Sequence, residues 1–414
     1  MNPESMSATG RSIAGAARPA ERVGHRRWAC LTMLLILAVL AAAPTSSARS
    51  RAYTEKVIYS FAGTTDGAGP SGLIMDRKRD LYGTTPNGGN GNGNVFKVTQ
   101  SGAFTNVWEF EGQPNDGADP LVALIADKQG NRYGTTLQGG KQNAGTVYEV
   151  TRTGKEHVLY NFTGLKDGSQ PCSPLVMDAT GNLYGVTSQG GKNNHGVVFE
   201  VTKAHKEHVL YNFTVVSYPM GMFCAGPIID RSGNLYGTTY FNGTHGLGMV
   251  FKLSPKGVLT VRYNFCSATN CTDGANPVGG LVSDAAGNLY GTTYLGGDPN
   301  CNGTGCGVVF ELSTAGQEKI LHTFESNDGE LPEGTLVRDP KGDLFGTASN
   351  GGTGGGGTVF EVTSAGDFKV LWDFQGPDGY EPEQALILDR KGDLYGTTVL
   401  GGGFGNGVVF ELKP

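Results

Sequence analysis

A tetrapeptide, TyrGlyThrThr or a close variant, recurs at Tyr82, Tyr133, Tyr184, Tyr236, Tyr290, Phe345 and Tyr395, in steps of 51, 51, 52, 54, 55 and 50 residues. Two further features keep its phase. An Asp stands six residues before each of these aromatics (Asp76, Asp127, Asp178, Asp230, Asp284, Asp339 and Asp389), and an aromatic follows each Gly-rich stretch (Phe96, Tyr148, Phe199, Phe251, Phe310, Phe360 and Phe410). A fixed period of about 50 residues marks a repeat architecture, in which one unit cannot bury its apolar face alone.

Within the third unit four short runs read as strands A to D: residues 174–178, a run from Leu183, a run from Gly196 and a run from His208. Each is rich in β-branched and aromatic residues and bounded by Gly, Asn or Asp. No segment past the N-terminal region keeps an apolar period of 3.6, and 67 Gly with 17% charged residues suit tight turns better than helices. The expected fold is all-β: a seven-bladed β-propeller of four-stranded antiparallel blades. The termini fix its closure. The repeats open on a D-type strand, residues 56–61, and end on a C-type strand, residues 407–412, so the last blade is complete only if the two pair. Closure of that kind also removes open edges.

Residues 1–48 read as an export signal. Arg11, Arg18, Arg22, Arg26 and Arg27 precede an apolar run, Trp28 to Ala43, and Ser46, Ser47 and Ala48 offer a small-residue cleavage site. The run is shorter than the roughly 20 residues of a membrane span, so no stable insertion is expected after cleavage. Residues 49–55 are then a linker and 56–414 one propeller domain. Six cysteines in an exported segment suggest disulfides. Cys266 with Cys271, and Cys301 with Cys306, each close a small loop. Cys172 and Cys224 both lie six residues before their unit's Asp, which places them at equivalent points of adjacent blades. A net charge of -6 argues against nucleic-acid binding.

LeuTyrGlyThrThr, GlyGly, ValPheLysVal, ValIleTyrSerPhe and AspGlyAlaGlyPro recur in fixed order from about residue 57 to 414. In these motifs the chain resembles the GloVer tandem-repeat family of exported bacterial proteins. The resemblance implies an extracellular or envelope setting and carries no catalytic residue with it. No sorting tail follows the repeats, so release into periplasm or medium is expected, as a monomer.

In an up-and-down blade the A–B and C–D turns share one face, and the B–C and D–A loops share the other. The second face carries nearly all the length variation, so a ligand site is expected there, near the channel mouth. The Asp before each strand B reads as a hairpin-turn residue. Asp66, Asp116, Asp167, Asp273, Asp328 and Asp378, each followed by Gly, also read as turn formers; Ca²⁺ is the ion these loops would take, and no other cofactor is expected. Unit four replaces its AspGly loop with an apolar one holding Tyr218 and Phe223. Glu333 and Glu383 share the register of the two cysteines, with Glu330 and Glu381 near them in sequence. These six residues, Glu330, Glu333, Glu381, Glu383, Tyr218 and Phe223, form the candidate ligand site.

The sequence therefore reads as an exported, non-enzymatic binding or scaffold protein that presents a loop-rich face to a glycan or protein partner. The alternatives are a carbohydrate-active hydrolase or lyase using the same acids, and a purely structural envelope component. No GxSxG or HExxH motif is present to favour an enzyme.

Overall fold

The structure, a computed structural model, describes residues 53–215 and 224–414. The expected export signal, most of the linker, and Tyr218 and Phe223 lie outside the described residues. Seven antiparallel blade sheets follow one another along the chain, beside a small two-stranded pairing of Gly117–Ala118 with Gln138–Gly139. The first blade shows the plan: A is Ile74–Met75, B is Leu81–Thr85, C is Asn94–Val98 and D is Phe104–Glu109. Among the described residues the helical content is a single 3₁₀ turn, Thr269–Cys271.

The closing strand behaves as its phase requires. Thr54–Ser60 pairs antiparallel with Val408–Lys413, from Thr54 opposite Lys413 to Ser60 opposite Val408, and so supplies strand D of the seventh blade. It starts two residues earlier than expected, so Thr54 and Glu55 belong to the blade and not to the linker. Arg79 of blade one adds a polar latch to the same seam, with Nη2 2.7 Å from Asp389 Oδ2 of blade seven.

Each seam between blades is centred on two rings. A Phe just after strand D of one blade meets, edge to face, the strand C aromatic of the next. Phe61 and Phe96 have centroids 5.1 Å apart, Phe110 and Tyr148 5.0 Å, Phe213 and Phe251 6.2 Å, and Phe374 and Phe410 5.1 Å. All these rings are buried without measurable exposure. Such pairs add roughly 0.5–1.5 kcal/mol each beyond their buried area.

The Gly of TyrGlyThrThr answers to a ring of its own blade. Gly83 lies opposite Phe96 on the neighbouring strand, and a Cβ there would stand 2.6 Å from Phe96 Cζ. Gly185 faces Phe199 in the same way, again at 2.6 Å. The missing side chain thus makes room for a ring of the same blade to lie across strand B, and that ring then meets the next blade.

Both sets of recurring Asp are spent on structure. Asp76 Oδ1 accepts the backbone N–H of Lys78 at 2.8 Å and of Asp80 at 3.0 Å, while Oδ2 accepts the Tyr82 hydroxyl at 3.3 Å. Asp127, Asp178, Asp230 and Asp284 repeat this pattern. The AspGly carboxylates clamp strand D instead. Asp66 holds the Tyr59 hydroxyl at 2.9 Å and the Ala62 N–H at 2.7 Å, and Asp378 holds Trp372 Nε1 at 2.9 Å and the Gln375 N–H at 2.8 Å. Asp116, Asp167, Asp273 and Asp328 hold Trp108, Tyr160, Tyr263 and His322 in the same manner. These bonds give the turn reading a complete physical account.

Four of these clamps have an acidic neighbour. Burial, and then the charge of Asp378, pushes the Glu55 carboxyl up to about 7. Glu156 rises to about 8 through burial and Asp116, Glu207 to about 7 through burial and Asp167, and Glu318 to about 7 through burial and Asp273. One carboxyl oxygen of each is buried without a hydrogen-bond partner.

Two predictions follow from this architecture. Deleting residues 53–61 should lower the melting temperature sharply or drive the protein into oligomers, as read by calorimetry and size-exclusion chromatography; an equally stable monomer would refute closure by the N-terminal strand. The second concerns pH. The folded state keeps protons on Glu55, Glu156, Glu207 and Glu318 that the unfolded chain, with an ordinary value of 4.5, releases earlier. This contribution to stability is complete below about pH 4.5 and is lost as pH rises through 7 to 8. The melting temperature should therefore fall between about pH 5 and 8, and Glu156→Gln should flatten that slope in thermal scans across pH.

Candidate functional site at the channel mouth

The B–C and D–A loops do share one face, joined by short backbone bridges such as Ala68 with Asn87 and Tyr380 with Leu400. The chain segments that lead into the A strands converge at the channel mouth. Val122, Pro174, Ala225, Gly279, Gly334 and Gln384 come from six different blades and line one small space there, together with Glu333 and Glu383. Small residues let these segments nearly touch: a Cβ on Gly334 would lie 2.7 Å from the Gln384 carbonyl. The space left is about 50 Å³, room for a few water molecules.

Three of the four expected acids sit in one electrostatic neighbourhood. Ser349 Oγ donates to Glu333 Oε1 at 2.9 Å. Burial raises the Glu333 carboxyl to about 7 against that hydrogen bond, with a further push from Glu381. Glu383 rises to about 8 through burial, then through Glu333 and Glu381. Glu381 occupies the left-handed region with φ 59°, its N–H donating to Gly356 O at 3.0 Å. Leu331 and Asn276 adopt the same conformation at equivalent points before a proline, so this conformation is a feature of the repeat.

Glu330 is not part of this group. Its backbone bridges to Asn350, and its Oε2 accepts from Asn302 Nδ2 at 2.7 Å, beside the Cys301–Cys306 loop. That loop gives the single grouping of three metal-type side chains among the described residues, Cys301, Cys306 and Glu330. Its two sulfurs are bonded to each other and are not available as thiolate ligands.

Tyr240 and Tyr294 also belong to the mouth. Burial and then Glu333 raise both hydroxyls, and Glu383 acts on Tyr294 as well. Their rings lie 6.3 Å apart. Each follows its TyrGlyThrThr motif directly, where the other units carry Pro86, Leu137, Ser188, Ser349 and Val399, so the signal was present in the sequence.

The opposite side of the mouth is covalently fixed. Cys172 and Cys224 are bonded, with Cα atoms 5.1 Å apart, and both are buried. Cys266 pairs with Cys271 and Cys301 with Cys306. The bridge between adjacent blades closes 52 residues of chain.

Fold and site together define a disulfide-braced seven-bladed propeller with an acidic channel mouth. The chain belongs to the Gloeobacter/Verrucomicrobia repeat family, whose pattern matches residues 47–177, 113–305 and 300–414. No curated protein matches. Among solved structures the chain is similar to the extracellular domain of a protein described as a hybrid two-component system of B. thetaiotaomicron, with TM-score 0.54 and 14% identity over 87% of this chain and 41% of that one. It is also similar to the extracellular domain of a one-component system from the same organism, with TM-score 0.51 and 10% identity over 83% of this chain and 38% of that one. The chain thus spans well under half of each. At these identities the likeness shows the fold alone.

Replacing Cys172 and Cys224 together by Ser should destabilise the protein by about 2–4 kcal/mol, because the unfolded chain regains the freedom the link removes. Denaturant titration of the double variant against the wild type measures the loss; an unchanged midpoint would show that the bridge constrains nothing.

Proposed function

We propose that this protein is an exported, non-catalytic propeller that binds a glycan or protein outside the cytoplasm through its loop-rich face. The observation that carries the reading is the channel mouth. Glu333 and Glu383 line a space of about 50 Å³ there, within electrostatic reach of Glu381, Tyr240 and Tyr294. Sites that enclose a small molecule usually offer roughly 300–1,000 Å³. A sugar ring has no room to sink between these acids, whereas a hydroxyl or ammonium group projecting from a larger partner can reach them. Carboxyls that hold a proton near neutral pH can donate to such a hydroxyl and also accept from it.

An extracellular setting is supported by the three disulfides, which persist outside a reducing cytosol, and by the extracellular origin of the similar domains. Length variation confined to one face of a regular scaffold is what a binding surface needs.

The test is thermal unfolding against a panel of neutral, cationic and acidic oligosaccharides, since a ligand selective for the native state raises apparent stability. A saturable shift that Glu333→Gln with Glu383→Gln abolishes, with the oligosaccharide recovered intact, is the expected result. Cleavage that is lost in Glu333→Gln would establish a hydrolase or lyase in place of a binding protein. A shift that survives the double substitution would remove the channel mouth from the reading.

A further inference from the structure

On the face opposite the channel mouth, the residue that precedes TyrGlyThrThr is Leu in six units: Leu81, Leu183, Leu235, Leu289, Leu344 and Leu394. In unit two it is Arg132. The six leucines are core residues, and Arg132 is just as enclosed, with 5% of its surface exposed. Its backbone keeps the ordinary strand pairing opposite Val150, so the fold itself does not call for an arginine.

The Arg132 guanidinium lies over the Tyr82 ring of blade one, its Cζ 3.5 Å from the centroid. Among the described residues it makes no hydrogen bond and no ion pair. The nearby carboxylates are engaged elsewhere: Asp76 with the Lys78 and Asp80 N–H groups and the Tyr82 hydroxyl, and Asp80 with Lys97 Nζ at 3.7 Å. The guanidinium nitrogens therefore have no protein acceptor among the described residues, and their five donors are open to an acceptor that enters from solvent.

Arg132 opens into a cleft of about 330 Å³ between the turns of blades one and two. Arg77, Lys78, Lys128 and Arg152 line the same cleft, and none of them has an ion-pair partner among the described residues. Five cations and two carboxylates, Asp76 and Asp127, therefore line the cleft, with Asp80 close to Arg132, in a chain whose net charge is -6. The propeller supplies its own control. The corresponding cleft between blades four and five, of about 570 Å³, is lined by the equivalent turn acids Asp230 and Asp284, by a single cation, Arg231, and by Leu289 in the place of Arg132. Clefts of this kind come with the architecture; the one between blades four and five lacks the positive charge of the one between blades one and two.

We infer that the cleft between blades one and two is an oxyanion site, in which Arg132 forks onto a phosphate, sulfate or carboxylate group that the four outer cations attract. A planar guanidinium braced on an aromatic ring suits two-point recognition of such a group. The site is separate from the channel mouth and does not depend on the function proposed for it.

Calorimetric titration of the purified protein with inorganic phosphate, sulfate and a short uronic-acid oligosaccharide, at ionic strength held constant with chloride, tests the inference. Saturable binding of at least one probe is expected, and Arg132→Leu should weaken it by about tenfold or more, the scale of one lost charge-assisted contact. Preference for the oligosaccharide over the free ions would identify the group as part of an acidic glycan; the reverse order would identify a free anion. Because Leu occupies this position in six other units, Arg132→Leu should fold and, without anion, melt no lower than the wild type. If that variant does not fold, Lys128→Ala with Arg152→Ala decides, with weaker binding expected at unchanged melting temperature. Absence of saturable binding to all three probes, or equal affinity in the wild type and the folded variant, would overturn the site.

Discussion

The edge-to-face contact between a Phe that leaves one blade and the strand C aromatic of the next holds the ring together. Its geometry begins inside a single blade, where the Gly of TyrGlyThrThr leaves strand B bare so that the ring opposite can lie across it. An alanine at Gly83 would have to displace Phe96, and the displaced ring would no longer meet Phe61. Local strand chemistry and blade-to-blade packing are thus one constraint, which explains why Gly and the aromatic keep the same phase in every unit.

The acidic residues divide into those the scaffold consumes and those it leaves over. The Asp before strand B and the Asp of the AspGly loops spend their oxygens on turn N–H groups and on Tyr, Trp or His of strands B and D. Glu333, Glu381 and Glu383 have no such periodic duty. Glu333 and Glu383 gather because two neighbouring blades depart from the repeat at one register, with Glu381 two residues before it, opposite the register's other departure, the Cys172–Cys224 bridge. The channel mouth is acidic on one side and covalently tied on the other.

Much of this was legible from residue spacing. Seven phased motifs define seven blades, and the offset between the first and last strands defines the closure, because both follow from backbone pairing that repeats with the chain. The disulfide across blades was legible for the same reason: equal register on adjacent units means proximity. What was not legible depends on loop paths and on where side chains turn. Glu330 is only three residues from Glu333, yet it joins a backbone bridge to Asn350 and turns toward Asn302. The role of Gly83 was not legible, because periodicity shows that small residues recur without showing which ring fills the gap. Tyr240, Tyr294 and Arg132 did leave a trace, as breaks in a column of equivalent residues, but only burial and contacts show what surrounds each break.

The strand that completes the last blade is the first to be made. Thr54 and Lys413 are neighbours in space and stand 359 residues apart in the chain. Synthesis from the N-terminus delivers the closing strand long before its partner, and every intermediate length leaves one blade edge unpaired. The ring thus cannot finish folding until Val408–Lys413 has been made. Until then the leading strand has to be kept from pairing with the exposed edge of another copy, and a truncated product would remain an open chain of blades.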